Sequence, residues 1–467
     1  MYAASRQPSD VKLNNAQGDA AASPILFVMI DFYDVPTFSQ AGSQRPVWVH
    51  VPASRSAANR TLLLAALANG ESLLRDFPVM DDTQDMRDAL SALGIGITEC
   101  PEGLRVQGCS GHWPNRQAAL SSGRSGTAAR FLTAALALSE GEYTLDADEQ
   151  MRRRPMLSLL NALRSTGAQI EPLHEGSSFP LRITGRGRSD IPLRMQIDIK
   201  ESSQYLSALL LAAGALQQSV EIVSSGLHGT DFVDMTLRTM AGFGVSVLKK
   251  ECAEHTVYSL DAAAGYSPGV YKIEADLLSA CYFFALAAML GTSVGVYGTS
   301  LNCKHPGIAF LSILSRMGCT YEQSSNGILF HGPENGHLRG GFSADLSSCA
   351  DHALTLAALA SFADAAVTMT GIAHIRAQES DRILNILQNL AALGGHAEEA
   401  EGNVIVFPAK LHGGIVDPMD DHRAAMAFSL IGTRIAGVRI QDPSCCAKTF
   451  PNFFEVLDDV LFQLSIT

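Results

Sequence analysis

The sequence predicts an α/β protein of two similar domains, each built from three repeats of a unit with two helices and several strands. Three observations predict it. Six small-residue helices recur at intervals of roughly 75 residues, an amphipathic helix alternates with them, and β-branched runs separate the two kinds.

The small-residue helices are expected over 56–70, 125–141, 202–217, 277–291, 349–364 and 420–437. Each opens on short polar or capping residues, continues as an Ala/Leu-rich stretch apolar nearly all round, and stops at Gly or another turn former. A helix with no polar face belongs inside a layer. The amphipathic helices are expected over 85–94, 156–167, 234–244, 309–318 and 384–394, each ending in Gly before a short alternating run. Such a Gly suits a C-terminal cap with positive φ, and the alternation suits a half-buried strand. The β-branched runs at 220–223 and 294–297 argue against an all-helical solenoid. The sixth copy closes with a terminal helix over 452–464, after Pro451.

Gly265, Pro268 and Gly269 mark a turn-rich crossing over 266–272 that divides the six units three and three. The expected organisation is an N-terminal extension over 1–45, a first domain over 54–270, and a second domain over 46–53 plus 271–467. The extension is rich in Ala, Ser, Gln and Asn before Pro24 and is expected to be weakly structured.

At 467 residues, 47% of them hydrophobic and 17% charged, the chain is long enough to bury two cores. A formal net charge of −13 argues against a nucleic-acid or anionic-membrane partner, whose docking face would be basic. The nine cysteines lack paired metal-ligand spacing, so neither a metal site nor a disulfide framework is expected. The apolar run at 24–35 contains Asp31 and falls short of the roughly 20 residues of a membrane span. Without a convincing cleavage site it reads poorly as a secretion signal, and a cytoplasmic location is expected.

Against this acidic background, basic side chains recur at helix starts, where free backbone N–H groups already favour anions. They are Arg60, Arg130, Arg154, Arg382, Arg423 and Lys448. Placed alike in different repeats, they point to one pocket for a small polyanion, since Arg grips phosphate and carboxylate bidentately. Asp351, Glu379 and His422 lie beside them in sequence, as helix caps, salt-bridge partners or candidate proton carriers. Ser202, Ser203 and Gln204 offer hydroxyl and amide donors to a phosphate or polyol. The Gly-rich segment around Gly126 is a weak phosphate signal by itself.

Read in order, SRSAANRTLLLAALANG, DDTQDMRDALSALG, SSGRSGTAAR, MRRRPMLSLLNALRSTGA, SSQYLSALLLAA, ADHALTLAALASFAD, RAQESDRI, MDDHRAAMAFSL and DPSCCAKTFPNFFEVL resemble the motif series of the 5-enolpyruvylshikimate-3-phosphate (EPSP) synthase family. The resemblance spans residues 47–460. It implies two domains of three βαβαββ units with buried helices, the enolpyruvyl transferase fold. It also implies transfer of the enolpyruvyl group of phosphoenolpyruvate to a hydroxyl acceptor through a tetrahedral intermediate, with no metal or cofactor.

By the same resemblance Arg154, Arg382, Arg423 and Lys448 would bind phosphoenolpyruvate, with Arg124 and Gly126 beside them. Asp351 would take the acceptor's proton, and Glu379 with His422 would handle the methylene protons. Ser56, Arg60, Ser202, Ser203, Gln204, His374 and Gln378 match acceptor-side positions. Some positions depart from the family pattern. Arg55 stands for a Lys with a catalytic place, and Arg124 and His374 each stand for an Asn. Gln378 stands for a Lys that contacts the acceptor's phosphate, and Gly229 and Phe232 stand for Ser and Tyr. Because these changes weaken an anion pocket, the expectation is a diverged transferase whose acceptor differs from shikimate 3-phosphate. The alternatives are an ordinary shikimate-pathway synthase and a binding protein that kept the fold without catalysis. A UDP-sugar acceptor fits less well, since SSQ and DDHR follow the shikimate branch.

Overall fold

The computed structural model of the protein describes residues 31–38, 45–176, 178–187, 191–226, 229–261, 265–302 and 305–466. The small-residue helices are Arg55–Leu67, Gly126–Leu138, Gln204–Ala213, Leu277–Leu290, Ala353–Ala360 and His422–Gly432. Each lies at its expected place and ends earlier than expected, because the glycines read as stops belong to the turns beyond the last helical residue. Burial is nearly complete around them, and Leu277 to Met289 is buried without a break. Ser54, Ser125, Asp276 and Asp421 cap four of the six, each accepting a backbone N–H from the first turn. The fifth is preceded by a short 3-10 turn, Ala350–His352, where one unbroken helix was expected.

The amphipathic helices are Asp81–Ala92, Leu157–Arg164, Thr230–Gly242, Pro306–Arg316 and Arg382–Ala392. Gly94 and Gly394, which follow the first and last of them, have φ of 88° and 78°, a conformation that penalises a Cβ.

Among the described residues, five four-stranded sheets share one topology. In the second unit the order is Gln117–Ser121, Glu142–Asp146, Leu181–Thr184, Gln169–Pro172, with the first pair parallel and the others antiparallel. The sixth sheet has three strands: Gly414–Val416 runs parallel to Val438–Gln441, and Phe32–Asp34 pairs antiparallel on its other side.

That last strand corrects the reading of residues 31–38 as part of a loose extension. Val35 is buried against the position where Gly432 has no side chain, and a Cβ on Gly432 would stand 2.5 Å from Val35 Cβ. Tyr33 donates its hydroxyl hydrogen to Asp458, 425 positions away, and its ring lies 4.2 Å from that of Phe454. Three strand residues with so distant a partner carry no local signature. The rest of the expected extension, apart from Arg45, lies outside the described residues.

Two large apolar cores result. One is drawn from Leu62 to Tyr266, the other from Val35, Val47 and Val49 together with Leu277 to Leu464. The chain passes between them twice. Val47–Val49 adds to the sheet of Ser293–Tyr297, while Val270–Lys272 adds to the sheet of Glu71–Arg75, so the second passage falls just after Lys272. The passages run side by side: Ser54 N donates to Glu274 O at 2.8 Å and Asp276 N to Pro52 O at 2.9 Å.

Candidate active site

A cavity opens between the halves at the N-terminal turns of the inner helices. Arg55 and Ser56, Gly126 and Thr127, Ser203 and Gln204, and Ala350 and Asp351 bring four such turns to its wall. Uncompensated N–H groups and aligned peptide dipoles make that wall favourable to anions before any side chain is counted. Arg60, Arg154, Ser202, His374, Gln378 and Glu379 complete the predicted set that lines it, with Gly229 and Phe232 alongside.

On the first-half side, cations exceed acids. Arg60 is buried and donates to Thr236 Oγ1 at 2.7 Å, Ser56 O at 2.8 Å, Phe232 O at 3.2 Å and Ser207 Oγ at 3.3 Å, all uncharged. Burial, helped by Arg238, pulls its pKa down to about 9. Arg130, equally buried, donates to Gln204 Oε1 at 2.5 Å and stands over the Tyr205 ring; burial and Arg154 bring it to about 10. Arg154 donates to Gln378 Oε1 at 2.8 Å and lies 3.8 Å from Glu379. Gly126 makes room for this pair of guanidiniums, since a Cβ there would be 2.6 Å from Arg154 Nη1 and 2.9 Å from Arg130 Nη1.

On the other side, charges are matched. The Arg382 guanidinium bridges three carboxylates, donating to Asp421 Oδ2 at 2.8 Å, Glu379 Oε2 at 2.8 Å and Asp351 Oδ1 at 3.0 Å. Arg423 donates to Asp351 Oδ2 at 3.0 Å and Lys448 to Glu379 Oε1 at 3.1 Å. Arg382, Arg423 and Lys448 therefore stand behind the acids instead of lining the cavity. Burial opposes ionisation of Asp351, but Arg423 and Arg382 outweigh it and hold the carboxyl below its usual range. Glu379 is likewise held well below, where burial is outweighed by Lys448, Arg382 and Arg154. Both are bases kept ionised. His422 is buried, and burial with Arg423 and Lys448 keeps its ring neutral.

Arg55 forms an ion pair with the buried Asp82. Burial disfavours its charge, yet Asp82, Glu379 and Asp351 hold it cationic, so it supplies charge and no proton. The residue placed least as expected is Arg124, which does not line the cavity and pairs instead with Asp420 across the gap. Gly229 has φ of 60°, and a Cβ on it would lie 2.6 Å from Ser203 Oγ. The serine it stands for would thus collide with the hydroxyl already there.

Three participants escaped the sequence reading. Asp421 caps the helix His422–Gly432, and Asp82 sits in the first turn of Asp81–Ala92, ahead of the helix expected over 85–94. Gln150 accepts from Lys448 Nζ at 3.4 Å and donates to Glu379 O at 3.1 Å. Nothing local marks a lone glutamine for that.

Chemically, the cavity presents surplus cationic donors on one wall and ionised carboxylates beside an ammonium on the other. That suits a small anion adding to a hydroxyl, with protons moved at both ends.

The EPSP synthase (3-phosphoshikimate 1-carboxyvinyltransferase) family matches residues 43–457. A 3-phosphoshikimate 1-carboxyvinyltransferase of Ralstonia pickettii is 39% identical over 417 residues, covering 87% of this chain and 95% of that protein. The 3-phosphoshikimate 1-carboxyvinyltransferase 2 of Halalkalibacterium halodurans is 36% identical over 422 residues, covering 89% and 92%. Among solved structures, an EPSP synthase from Acinetobacter baumannii superposes with a TM-score of 0.74 at 24% identity, over 92% of this chain and 98% of that one. The enolpyruvyl transferase NikO from Streptomyces tendae does so with a TM-score of 0.69 at 16% identity, over 92% and 97%, which speaks to the fold.

Proposed function

Because the chain belongs to the EPSP synthase family, we propose that it joins the enolpyruvyl group of phosphoenolpyruvate to a hydroxyl of shikimate 3-phosphate, releasing phosphate. The observation that carries the reading is the buried Arg60, whose four acceptors are all neutral. A buried guanidinium without an acid is costly unless an anion joins it.

The acceptor hydroxyl loses its proton to Asp351 and adds to C2 of phosphoenolpyruvate, while the methylene carbon gains a proton from the Lys448 and Glu379 pair. The resulting tetrahedral adduct then gives up a methyl proton to Glu379 and expels phosphate, leaving the enol ether. Arg154 meets the phosphate and carboxylate from the cavity wall, while Arg382, Arg423 and Lys448, one layer back, keep the acids ionised and add positive field during both steps. Ser202, Ser203, Gln204 and Arg60 hold the acceptor. His422, kept neutral by burial and by Arg423 and Lys448, leaves the proton traffic to Asp351, Glu379 and Lys448. Closure of the two halves, divided just after Lys272, on each other excludes water from the adduct. A cytoplasmic site of action belongs to the same proposal; no described helix is long and apolar enough to cross a membrane.

This reading replaces the altered acceptor expected from the departures. The names of the relatives favour shikimate 3-phosphate, and several departures have local explanations: Arg55 answers Asp82, Arg124 lies outside the cavity, and Gly229 gives way to Ser203. Phosphate release from phosphoenolpyruvate with shikimate 3-phosphate, together with rescue of a strain lacking the synthase, tests it. Release only with some other hydroxyl compound would return the reading to a changed acceptor, and release with none would leave a binding protein.

A further inference from the structure

Arg124 lies in the turn between strand Gln117–Ser121 and helix Gly126–Leu138, and its guanidinium forms an ion pair with Asp420 of the other half. Nη2 also donates to the Asp420 carbonyl at 3.4 Å, and Nε lies 3.7 Å from Asp148. Both ends of this pair are braced. Asp420 precedes the capping Asp421 and the helix that carries His422 and Arg423, and Met419 and Asp420 hold left-handed φ of 54° and 57°. Two consecutive residues other than glycine adopt that conformation only where their surroundings fix it.

At the near end, the Asp85 carboxylate accepts the backbone N–H groups of Arg124 and Ser125. Gly123 presses so closely that a Cβ would stand 2.2 Å from Asp85 Oδ1. The turn bearing Arg124 is thus held by helix Asp81–Ala92, which also supplies Asp82 to Arg55. Beside the pair, Gln150 Nε2 donates to the Asp420 carbonyl at 3.4 Å and to the Glu379 carbonyl at 3.1 Å.

We propose that Arg124 and Asp420 are positioning residues, a cross-gap clasp that holds the halves closed and so sets Arg154 against Glu379 and Gln150 against Lys448 during turnover. The inference rests on the proposed reaction for its kinetic readout. Neither residue lines the cavity. With side-chain exposures of 28% and 51%, the pair is open enough to salt to be weakened by it, unlike the ion pairs around Arg382.

The test compares the full chain with Arg124→Ala, Asp420→Ala, the double alanine variant and the exchanged pair Arg124→Asp/Asp420→Arg. Each single variant is expected to lower kcat/KM for phosphoenolpyruvate about fivefold, with its thermal midpoint unchanged. The double alanine variant should lose no more than either single one, the exchanged pair should recover most of the loss, and added salt should slow the unaltered chain more than the variants. Multiplying losses in the double variant, no recovery on exchange, or equal salt effects would each overturn the clasp. Should the unaltered chain not turn over shikimate 3-phosphate, the proposed reaction falls, and the clasp is judged by X-ray scattering of the unliganded proteins. Larger radii for the single variants at low salt would then support it, and equal radii would overturn it.

Discussion

Lys448 Nζ lies 3.1 Å from Glu379 Oε1, and both side chains are almost wholly withdrawn from water. The other oxygen of the same carboxylate meets Arg382 at 2.8 Å, so one acid is shared by an ammonium and a guanidinium in a dry site. Glu379→Gln keeps the shape and removes the charge. It should lower kcat by about 10²–10⁴ as a proton carrier is lost. It should also lower stability by about 3 kcal/mol, since Lys448 keeps only an amide partner. Phosphate release and denaturant titration measure the two effects separately; unchanged kcat would remove Glu379 from the reaction.

Arg60 should behave in the opposite way with respect to stability. Arg60→Met removes a buried cation that no acid neutralises, so the thermal midpoint should stay level or rise. The KM for shikimate 3-phosphate should increase about 10- to 100-fold, the worth of one charge-assisted hydrogen bond. Calorimetry of the free protein and steady-state kinetics read the two outcomes, and a sharp loss of stability would mean that Arg60 is a packing residue.

Gly126→Ala tests the close approach of the two guanidiniums. The atoms that a methyl would meet are the tips of Arg154 and Arg130, which can swing aside, so folding should survive. Binding should suffer, with the KM for phosphoenolpyruvate rising about tenfold while the melting curve stays within a few degrees, an effect on the order of 1.4 kcal/mol.

The buried histidines set the acid side of the stability profile. Burial brings His305 down to about 4 and His352 to about 3, and keeps His422 well below its ordinary value. In the unfolded chain each would titrate near pH 6.5, at about the reference value for histidine. Between about pH 6.5 and 4 the unfolded state therefore binds more protons, and stability falls as the pH is lowered through that window. Asp351 and Glu379, depressed by their cations, add a further loss below about pH 4. Asp85, raised to about 7 by burial and Asp82, has the reverse sign: its contribution is largest at low pH and is lost as the pH rises from about 4 to 7. Unfolding midpoints from pH 4 to 8 should show the histidine slope dominating, and His305→Gln should flatten it. A profile unchanged by that substitution would refute the assignment.

The segment 31–38 should matter for folding. Val35→Ala removes two buried methyl groups at the contact with Gly432 and should cost about 2 kcal/mol, read by urea titration. A cost near zero would return the segment to the status of a loose extension.

The periodic parts of this molecule were legible. Helices with no polar face announced six buried elements, and Gly94 and Gly394 marked turns that do carry positive φ. At the candidate site, Asp351, Glu379, Arg154 and Arg60 stood out because acids and bases beside helix starts are a local pattern. What escaped was relational. The destination of Arg124 depends on Asp420, roughly 300 positions away, and no spacing rule encodes that reach. Arg382, Arg423 and Lys448 were identified as cations, but three carboxylates face them, so they stand one layer behind the cavity.

Phe32–Asp34 pairs with Val438–Gln441 and lies under the helix Phe453–Ile466, so the second half is stitched from segments far apart in the chain. On the ribosome the first half emerges as one uninterrupted stretch and has everything its core requires once residue 272 is out. Strands Phe32–Asp34 and Val47–Val49 of the other half must wait, unpaired, while all of that is made and then until Val438–Gln441 and Ser293–Tyr297 emerge. Translation order thus imposes an assembly order, and the nascent chain carries an exposed edge at Phe32–Asp34 until Val438–Gln441 is made.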